Sequence, residues 1–213
     1  MRLESFFNIL KDKLKLDLNK TNYFLTNPNF LGGWEVWLQC NIGYAFSLYD
    51  AVTQLQREIC YPSGNAANPY LNFKKNANPQ VTLVSNQNSA SRCDFLIKKP
   101  DIGVSDDTYI ELKCQNSNRT VQEAWNRFAE DIVKVEELTK ANNTLNCISL
   151  LCTYEQFDQN QMARLIDLFD SGTRSSFVLD FESHNPVLTR LKNVKTGGMP
   201  RTMIIGCALN RIR

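Results

Sequence analysis

The order of apolar patterns in this sequence predicts an α/β domain whose mixed central sheet is flanked by helices. Apolar and polar residues alternate, as in strands, over residues 92–97 and 107–115, whereas residues 120–140 carry an apolar stripe at helical spacing. Residues 145–153 are apolar on both faces, which is typical of a strand buried between two layers. With a helix before the strands, the predicted order is helix, three strands, helix and strand, an αβββαβ core.

Length and composition indicate one ordinary globular domain. The chain has 213 residues, of which 43% are hydrophobic and 22% charged. We expect a single domain over residues 1–213, with an N-terminal packing helix within 1–30, the core in 33–152 and a C-terminal extension in 153–213. No run of about 18 apolar residues occurs, so we expect no membrane span.

The cysteines and the single histidine restrict the chemistry. There are seven cysteines and no Cys-x-x-Cys pair, and most lie in apolar, strand-like runs where a reduced thiol behaves as a small core residue. We therefore expect a reducing, cytoplasmic location and no zinc site. His184 is the only histidine, which excludes chemistry that needs two or more, and its turn-like surroundings are typical of an exposed loop residue.

The first third of the chain is predicted to contain two helices. Residues 3–18 have apolar positions at helical spacing with lysines between them, which predicts an amphipathic packing helix. A second helix is predicted over residues 34–58, where Glu35 and Gln39 share the face toward the sheet. The alternative for Glu35 is a first-turn acid stabilised by the helix dipole.

The strands that follow are predicted to form a meander. Residues 62–80 are rich in Asn and Pro and are predicted to be a loop. Residues 81–84 are then expected to pair with residues 92–97, which contain Asp94, and the next strand contains Glu111. The two acids therefore lie on the second and third strands of the predicted meander.

Charge is unevenly distributed toward the end of the chain. After a helix at 158–170 and a strand at 176–181, the chain carries six basic and no acidic residues beyond Glu182, and a last strand is predicted at 203–209. A segment of one sign can attract a polyanion. Six charges scattered over a solvated surface are the alternative.

Polar side chains of mixed charge converge on one face of the strand at 107–115. Glu111, Lys113 and Gln115 alternate there with apolar residues, and Asp94 lies on the neighbouring strand. Mg²⁺ prefers carboxylate, carbonyl and water oxygens. Asp94 and Glu111 are therefore candidate ligands, with the Leu112 carbonyl as a third, and Lys113 is near enough to hold a phosphate oxygen or the attacking water.

Asp94, followed 17 positions later by Glu111-Leu112-Lys113, resembles the D…ExK signature of the PD-(D/E)XK nuclease superfamily. The resemblance covers about residues 33–150. It implies a restriction-endonuclease-like fold and Mg²⁺ or Mn²⁺ as cofactor. One departure from the family pattern is Cys93, which precedes Asp94 where the family often has proline.

The resemblance also implies residue roles. A glutamate on the helix before the sheet often completes the site, and Glu35 is the candidate here. Gln115 matches the glutamine that follows the ExK lysine in some branches. The implied catalytic set is Glu35, Asp94, Glu111, Lys113 and Gln115, and the implied metal ligands are Asp94, Glu111, Leu112 and Glu35.

The function implied is a metal-dependent endonuclease that acts on DNA more than on RNA, in restriction, repair, phage biology or interbacterial toxins. Candidate phosphate contacts, each with ordinary surface charge as the alternative, are Lys74, Lys75, Arg119, Arg190, Lys192 and Lys195. A catalytically silent binding or regulatory module with the same fold is the second hypothesis. A homodimer or another protein partner stays open at this point, and a cysteine hydrolase is disfavoured because only one histidine is present.

Overall fold

The computed structural model describes residues 1–27, 29, 33–49, 54–98, 107–115, 120–170, 172–182 and 185–209. The helices are α1 (Leu3–Lys13), α2 (Leu18–Thr26), α3 (Gly33–Tyr49), α4 (Val121–Ala141) and α5 (Gln159–Phe169). The strands are β1 (Gln54–Arg57), β2 (Tyr70–Lys74), β3 (Gln80–Val84), β4 (Phe95–Lys98), β5 (Thr108–Cys114), β6 (Asn146–Glu155), β7 (Arg174–Asp180), β8 (Val187–Arg190) and β9 (Arg201–Leu209). None of these helices is long and apolar enough to cross a membrane.

Seven of the strands form one mixed sheet. Their order is β1-β4-β5-β6-β9-β7-β8, and β2 and β3 form a separate hairpin. The pair β5 and β6 is parallel, and the other neighbours in the sheet are antiparallel. The mixed sheet and its flanking helices confirm the predicted α/β class.

Helices cover both faces of this sheet. α1 and α3 pack on the face that buries Ile110, Leu112 and Cys114 of β5. α4 and α5 pack on the other face, against side chains such as Leu151 and Ile205. Because neighbouring residues of a strand point to opposite faces, Glu111 and Lys113 are directed toward α4.

The helix, three-strand, helix and strand order occurs in the chain as α3, β1, β4, β5, α4 and β6, with the β2–β3 hairpin inserted after β1. The helix predicted over residues 120–140 is confirmed as α4, and it begins at a capping box in which Thr120 and Glu123 each bond the other's backbone N–H. A parallel strand pair needs such a crossover helix. α4 therefore runs across the sheet beside β5, with its apolar stripe toward the core.

The helix predicted over residues 34–58 is wrong from Gln54 onward. Residues 54–57 form β1, an edge strand that pairs with β4 from Gln54 opposite Lys98 to Arg57 opposite Phe95. This strand carries one apolar side chain, Leu55, so its own alternation is too short to be recognised. Its conformation comes from pairing with β4, a contact that local sequence does not encode.

The first strand of the predicted meander is also wrong. Residues 81–84 pair with β2, from Leu71 opposite Leu83 to Phe73 opposite Val81, and not with β4. The predicted loop at 62–80 therefore contains a strand. The Asn-Pro pairs on both sides of β2 indicated a loop and so concealed the strand. Asn68-Pro69 directly precedes β2, and Asn78-Pro79 lies in the turn between β2 and β3.

The remaining elements agree with expectation except at two places. The helix predicted over 3–18 ends at Lys13, and α2 begins after Asp17, whose carboxylate accepts a hydrogen bond from the Lys20 N–H at 3.1 Å. The short edge strand β8 was not predicted. The last strand, predicted at 203–209, is β9, and it lies between β6 and β7 in the sheet.

Candidate active site

Asp94 is fixed against β5 through its backbone and its carboxylate. Its N–H donates to the Ile110 carbonyl at 3.0 Å, and its Oδ2 accepts a hydrogen bond from the Leu112 N–H at 2.6 Å. In an antiparallel pair, the N–H and C=O of one residue point to the same neighbouring strand. The Leu112 carbonyl is therefore directed toward Asp94 as well.

The ammonium group of Lys113 lies among three oxygen atoms. Its Nζ is 3.6 Å from Asp94 Oδ2, 3.0 Å from Asp131 Oδ2 and 3.2 Å from the Leu112 carbonyl oxygen. Burial by itself would lower the pKa of Lys113, but the carboxylates of Asp131 and Asp94 outweigh it and hold the pKa well above its usual range. Lys113 is therefore a permanent positive charge.

Asp131, on α4, was not predicted from the sequence. Its pKa is raised mainly by burial, although Lys113 opposes the shift. Oδ2 is buried and, within the described part of the chain, accepts no hydrogen bond of normal geometry, although the Lys113 ammonium is 3.0 Å away. Since the Lys113 ammonium is its charge partner, this oxygen becomes open to a further ligand when that ammonium moves away.

Glu111 is held in a second group one pleat away. Its Oε1 accepts hydrogen bonds from the Tyr61 hydroxyl at 2.5 Å and from the Lys134 ammonium at 2.6 Å. Lys134 also donates to the Arg92 carbonyl at 2.9 Å. Glu111 is only 2% exposed, and burial raises its pKa to about 7 against the opposing charge of Lys134. It therefore titrates near neutral pH.

Glu35 approaches from α3, in the helix layer on the opposite face. Burial and then the negative charge of Asp94 raise its pKa, while Lys113 and Arg127 lower it. These interactions place Glu35 in the electrostatic field of the Asp94–Lys113 group. Gln39, one turn further on, is buried and accepts a hydrogen bond from Arg57 Nε at 2.8 Å.

Gln115 is directed away from the other predicted residues. Its side-chain nitrogen donates to Glu155 Oε1 at 2.8 Å, and its side-chain oxygen accepts from the Tyr154 N–H at 3.0 Å and from the Thr153 hydroxyl. All three partners belong to the end of β6. Gln115 thus joins the ends of β5 and β6.

The structure brings together Asp94, Leu112 and Lys113 of the predicted set and adds Asp131 to them. Glu111 lies beside this group but is bonded to Lys134 and Tyr61. Over the described ranges, no three His, Cys, Asp or Glu side chains are arranged as one metal-binding group. The oxygens nearest one another around Lys113 are two carboxylates and one backbone carbonyl.

The predicted phosphate contacts are dispersed. Lys74 is exposed, and Lys75 is 2.7 Å from Glu130 of α4. Arg190 lies over the Phe177 ring at 4.4 Å, on an edge strand four strand spacings from β5, or about 20 Å. Arg119 and His184 lie outside the described residues. The two remaining contacts, Lys192 and Lys195, are exposed.

Asp131 and Lys134 could have been found from the sequence. Asp131 follows Phe128 by three residues and precedes Val135 by four, so it lies within the buried stripe of α4. A charged residue at such a position needs a buried partner. No sequence pattern marked Tyr61, because it lies in the connection between β1 and β2 and reaches Glu111 only through the fold.

Comparison with protein-family models, with curated proteins and with solved structures finds no match to this chain. Its function must therefore be inferred from the side chains described above.

Proposed function

We propose that this protein is a metal-dependent nuclease of the PD-(D/E)XK type that hydrolyses phosphodiester bonds of nucleic acid, DNA before RNA. One observation carries the proposal: the Lys113 ammonium is enclosed by oxygens of Asp94, Leu112 and Asp131 at 3.0 to 3.6 Å. The order α3, β1, β4, β5, α4, β6, with β5 and β6 parallel, also agrees with the αβββαβ core expected of that superfamily.

The oxygens around Lys113 suit a hard divalent cation. Mg²⁺ in proteins usually takes one or two carboxylates and keeps several waters. Asp94, Asp131 and the Leu112 carbonyl would form a sufficient set once the Lys113 ammonium, which lies 3.0 to 3.6 Å from all three oxygens, turns aside toward a substrate phosphate. The buried Oδ2 of Asp131, which accepts no normal hydrogen bond among the described residues, fits the role of a metal ligand. When bound, Mg²⁺ or Mn²⁺ would lower the pKa of a coordinated water and neutralise charge on the phosphate.

The protein's own side chains then have distinct tasks. Lys113 supplies a fixed positive charge for a phosphate oxygen, because its pKa stays far above neutrality. Asp94 is held in place by the Leu112 N–H, so its second oxygen has a defined direction. Glu111, with a pKa of about 7, can accept or return a proton near neutral pH, and Tyr61 and Lys134 fix its orientation.

The test is cleavage of plasmid DNA, single-stranded DNA and total RNA, each with Mg²⁺, with Mn²⁺ and with EDTA. We expect cleavage that requires a divalent cation and is abolished in Asp94→Asn and Glu111→Ala, both checked for folding by circular dichroism. Asp167→Asn removes an exposed carboxylate on α5 and should cleave normally. Full cleavage by a folded Glu111→Ala protein would contradict the assignment.

A silent binding module is the second candidate, favoured by the way Lys134 and Tyr61 already satisfy Glu111. Calorimetric titration with Mn²⁺ separates the two. The nuclease requires binding that Asp131→Asn weakens and Asp167→Asn does not. An absence of binding at millimolar Mn²⁺ in the wild-type protein would leave the module as the better account.

A further inference from the structure

The loop of residues 195–200 presents one apolar side chain to solvent. Met199 is 81% exposed, the highest value for a large hydrophobic side chain among the described residues. Gly197 and Gly198 before it have φ of +78° and +85°, a conformation that other residues rarely adopt. The two glycines therefore form a turn in which Met199 is the most exposed large hydrophobic side chain.

The loop backbone is held from the core. Arg201 is buried; its Nε bonds both Asp180 oxygens at 3.0 and 2.8 Å, and its terminal nitrogens donate to the carbonyls of Gly197 at 3.2 Å and Lys195 at 2.8 Å. The Gly197 N–H donates to the Phe157 carbonyl at 2.8 Å. Met199 is thus exposed on a braced backbone and not on a fraying one.

Two exposed lysines lie in or next to the loop. Lys192 and Lys195 are exposed and form no ion pair with the described residues. Of the acids on the neighbouring elements, Asp180 bonds Arg201, Glu155 accepts from Gln115 and Asp158 accepts from the Gln161 N–H, while Glu182 is exposed. The lysines are therefore free to contact a polyanion.

The loop lies at the same end of the sheet as the candidate active site. Arg201 pairs with Glu155 at the end of β6, and Glu155 bonds Gln115 just beyond β5. β5 and β6 are parallel, so their carboxyl ends share one edge. The base of the loop is two strand spacings from β5, or about 10 Å.

We propose that Met199 is a wedge that enters a base step of duplex DNA, with Lys192 and Lys195 on the flanking phosphates; this proposal rests on the proposed nuclease function. Proteins that deform duplex DNA commonly insert an apolar side chain such as Met or Pro between base pairs while basic residues hold the backbone. An apolar tip on a braced loop, beside unpaired lysines and on the catalytic edge, meets both requirements. The wedge would fix the duplex about two strands away from Lys113.

The experiment measures binding and unstacking without cleavage. Duplexes with 2-aminopurine at successive positions are titrated in EDTA, where fluorescence rises if the base is unstacked. The wild-type protein should bind and raise the fluorescence. Met199→Ala should bind about tenfold more weakly and give no rise at saturation. Lys195→Ala should weaken binding and reduce the salt dependence while keeping the rise.

Tyr44→Ala is the matched control, since Tyr44 is 65% exposed on α3 and lies outside the site. It should behave as wild type. The wedge proposal is overturned if Met199→Ala still unstacks the duplex as the wild-type protein does. It is also overturned if the protein binds anionic vesicles in a Met199-dependent way and gives no 2-aminopurine signal with duplex DNA. Cleavage is assayed separately with Mg²⁺ or Mn²⁺. If the wild-type protein unstacks the duplex but does not cleave it, the nuclease proposal fails and the wedge proposal stands. If the wild-type protein cleaves and Met199→Ala still unstacks the duplex normally, the wedge proposal fails and the nuclease proposal stands.

Discussion

Two buried charged centres in this protein differ in how completely their hydrogen bonds are satisfied. At Arg201, the guanidinium bonds both oxygens of Asp180 and two backbone carbonyls. At Lys113, two carboxylates face one ammonium, and Asp131 Oδ2 accepts no normal hydrogen bond within the described ranges. The first centre is satisfied within the protein and stabilises the fold, whereas the second has capacity for a ligand.

The two centres also differ in how many carboxylates lie near the positive charge. Around Lys113, burial raises the pKa of Glu35, of Glu111 and of Asp131 together. Several carboxylates that resist ionisation in one place destabilise a fold, so their clustering needs a function. Arg201, by contrast, has one carboxylate partner, and its Nε donates to both oxygens of that carboxylate.

Arg201→Met should produce the largest loss of stability. It leaves Asp180 buried without its partner and frees the loop carbonyls, so the free energy of unfolding should fall by about 3 to 5 kcal/mol. Urea denaturation measures the change. The double variant Arg201→Met/Asp180→Leu is the control and should recover part of the loss. Unchanged stability in Arg201→Met would show that this centre is not structural.

Glu111→Gln should change how stability depends on pH. Because the folded-state pKa is about 7 and the ordinary value is 4.5, Glu111 stabilises the fold fully below pH 4.5, and this contribution is lost as pH rises toward 7. The glutamine has no such dependence, so the decrease in unfolding free energy between pH 4.5 and 7 should be smaller by about 3 kcal/mol.

Urea denaturation at pH 4.5, 6 and 7.5 checks this prediction. Glu182→Gln, which neutralises an exposed acid, is the control and should keep the wild-type dependence. If Glu111→Gln retains the wild-type dependence, Glu111 ionises normally despite its burial. It would then offer no proton exchange near neutral pH.

Lys113→Met should reduce cleavage about 100-fold, equivalent to about 2.7 kcal/mol of transition-state stabilisation. The free energy of unfolding should also fall, because Asp94 and Asp131 are left without their shared ammonium partner. Single-turnover cleavage and urea denaturation measure the two effects. Lys140→Met, on α4, removes an exposed charge and should cleave normally. Equal cleavage by both variants would make Lys113 as structural as Arg201.

The sequence predicted the elements whose patterns are local. The apolar stripe of α4 was recognisable, as were the strands β5, β6 and β9, since each holds its own apolar pattern. β1 was missed because its conformation depends on β4. A helix or strand is predictable from sequence when its own residues, and not a partner strand, determine its conformation.

The candidate site shows the same division. Asp94 and Lys113 were expected near one another, and their side chains are 3.6 Å apart, because adjacent strands bring them together. The pairing of Glu111 with Lys134 and Tyr61 was not foreseen, since both partners come from elements distant in sequence. A sequence motif identifies the residues of one strand, but the protonation of those residues depends on the side chains that pack against the strand.

Lys75→Ala should have the smallest effect and tests whether burial, and not charge pairing alone, distinguishes these centres. Lys75 and Glu130 are 2.7 Å apart, closer than Lys113 and Asp94, yet their side chains are 66% and 48% exposed. Solvent screens such a pair, so the free energy of unfolding should fall by less than about 1 kcal/mol and cleavage should persist. Urea denaturation and the cleavage assay measure both. A larger loss of stability would mean that this pair holds the β2–β3 hairpin on α4, and that a short distance is sufficient to make an ion pair structural in this protein.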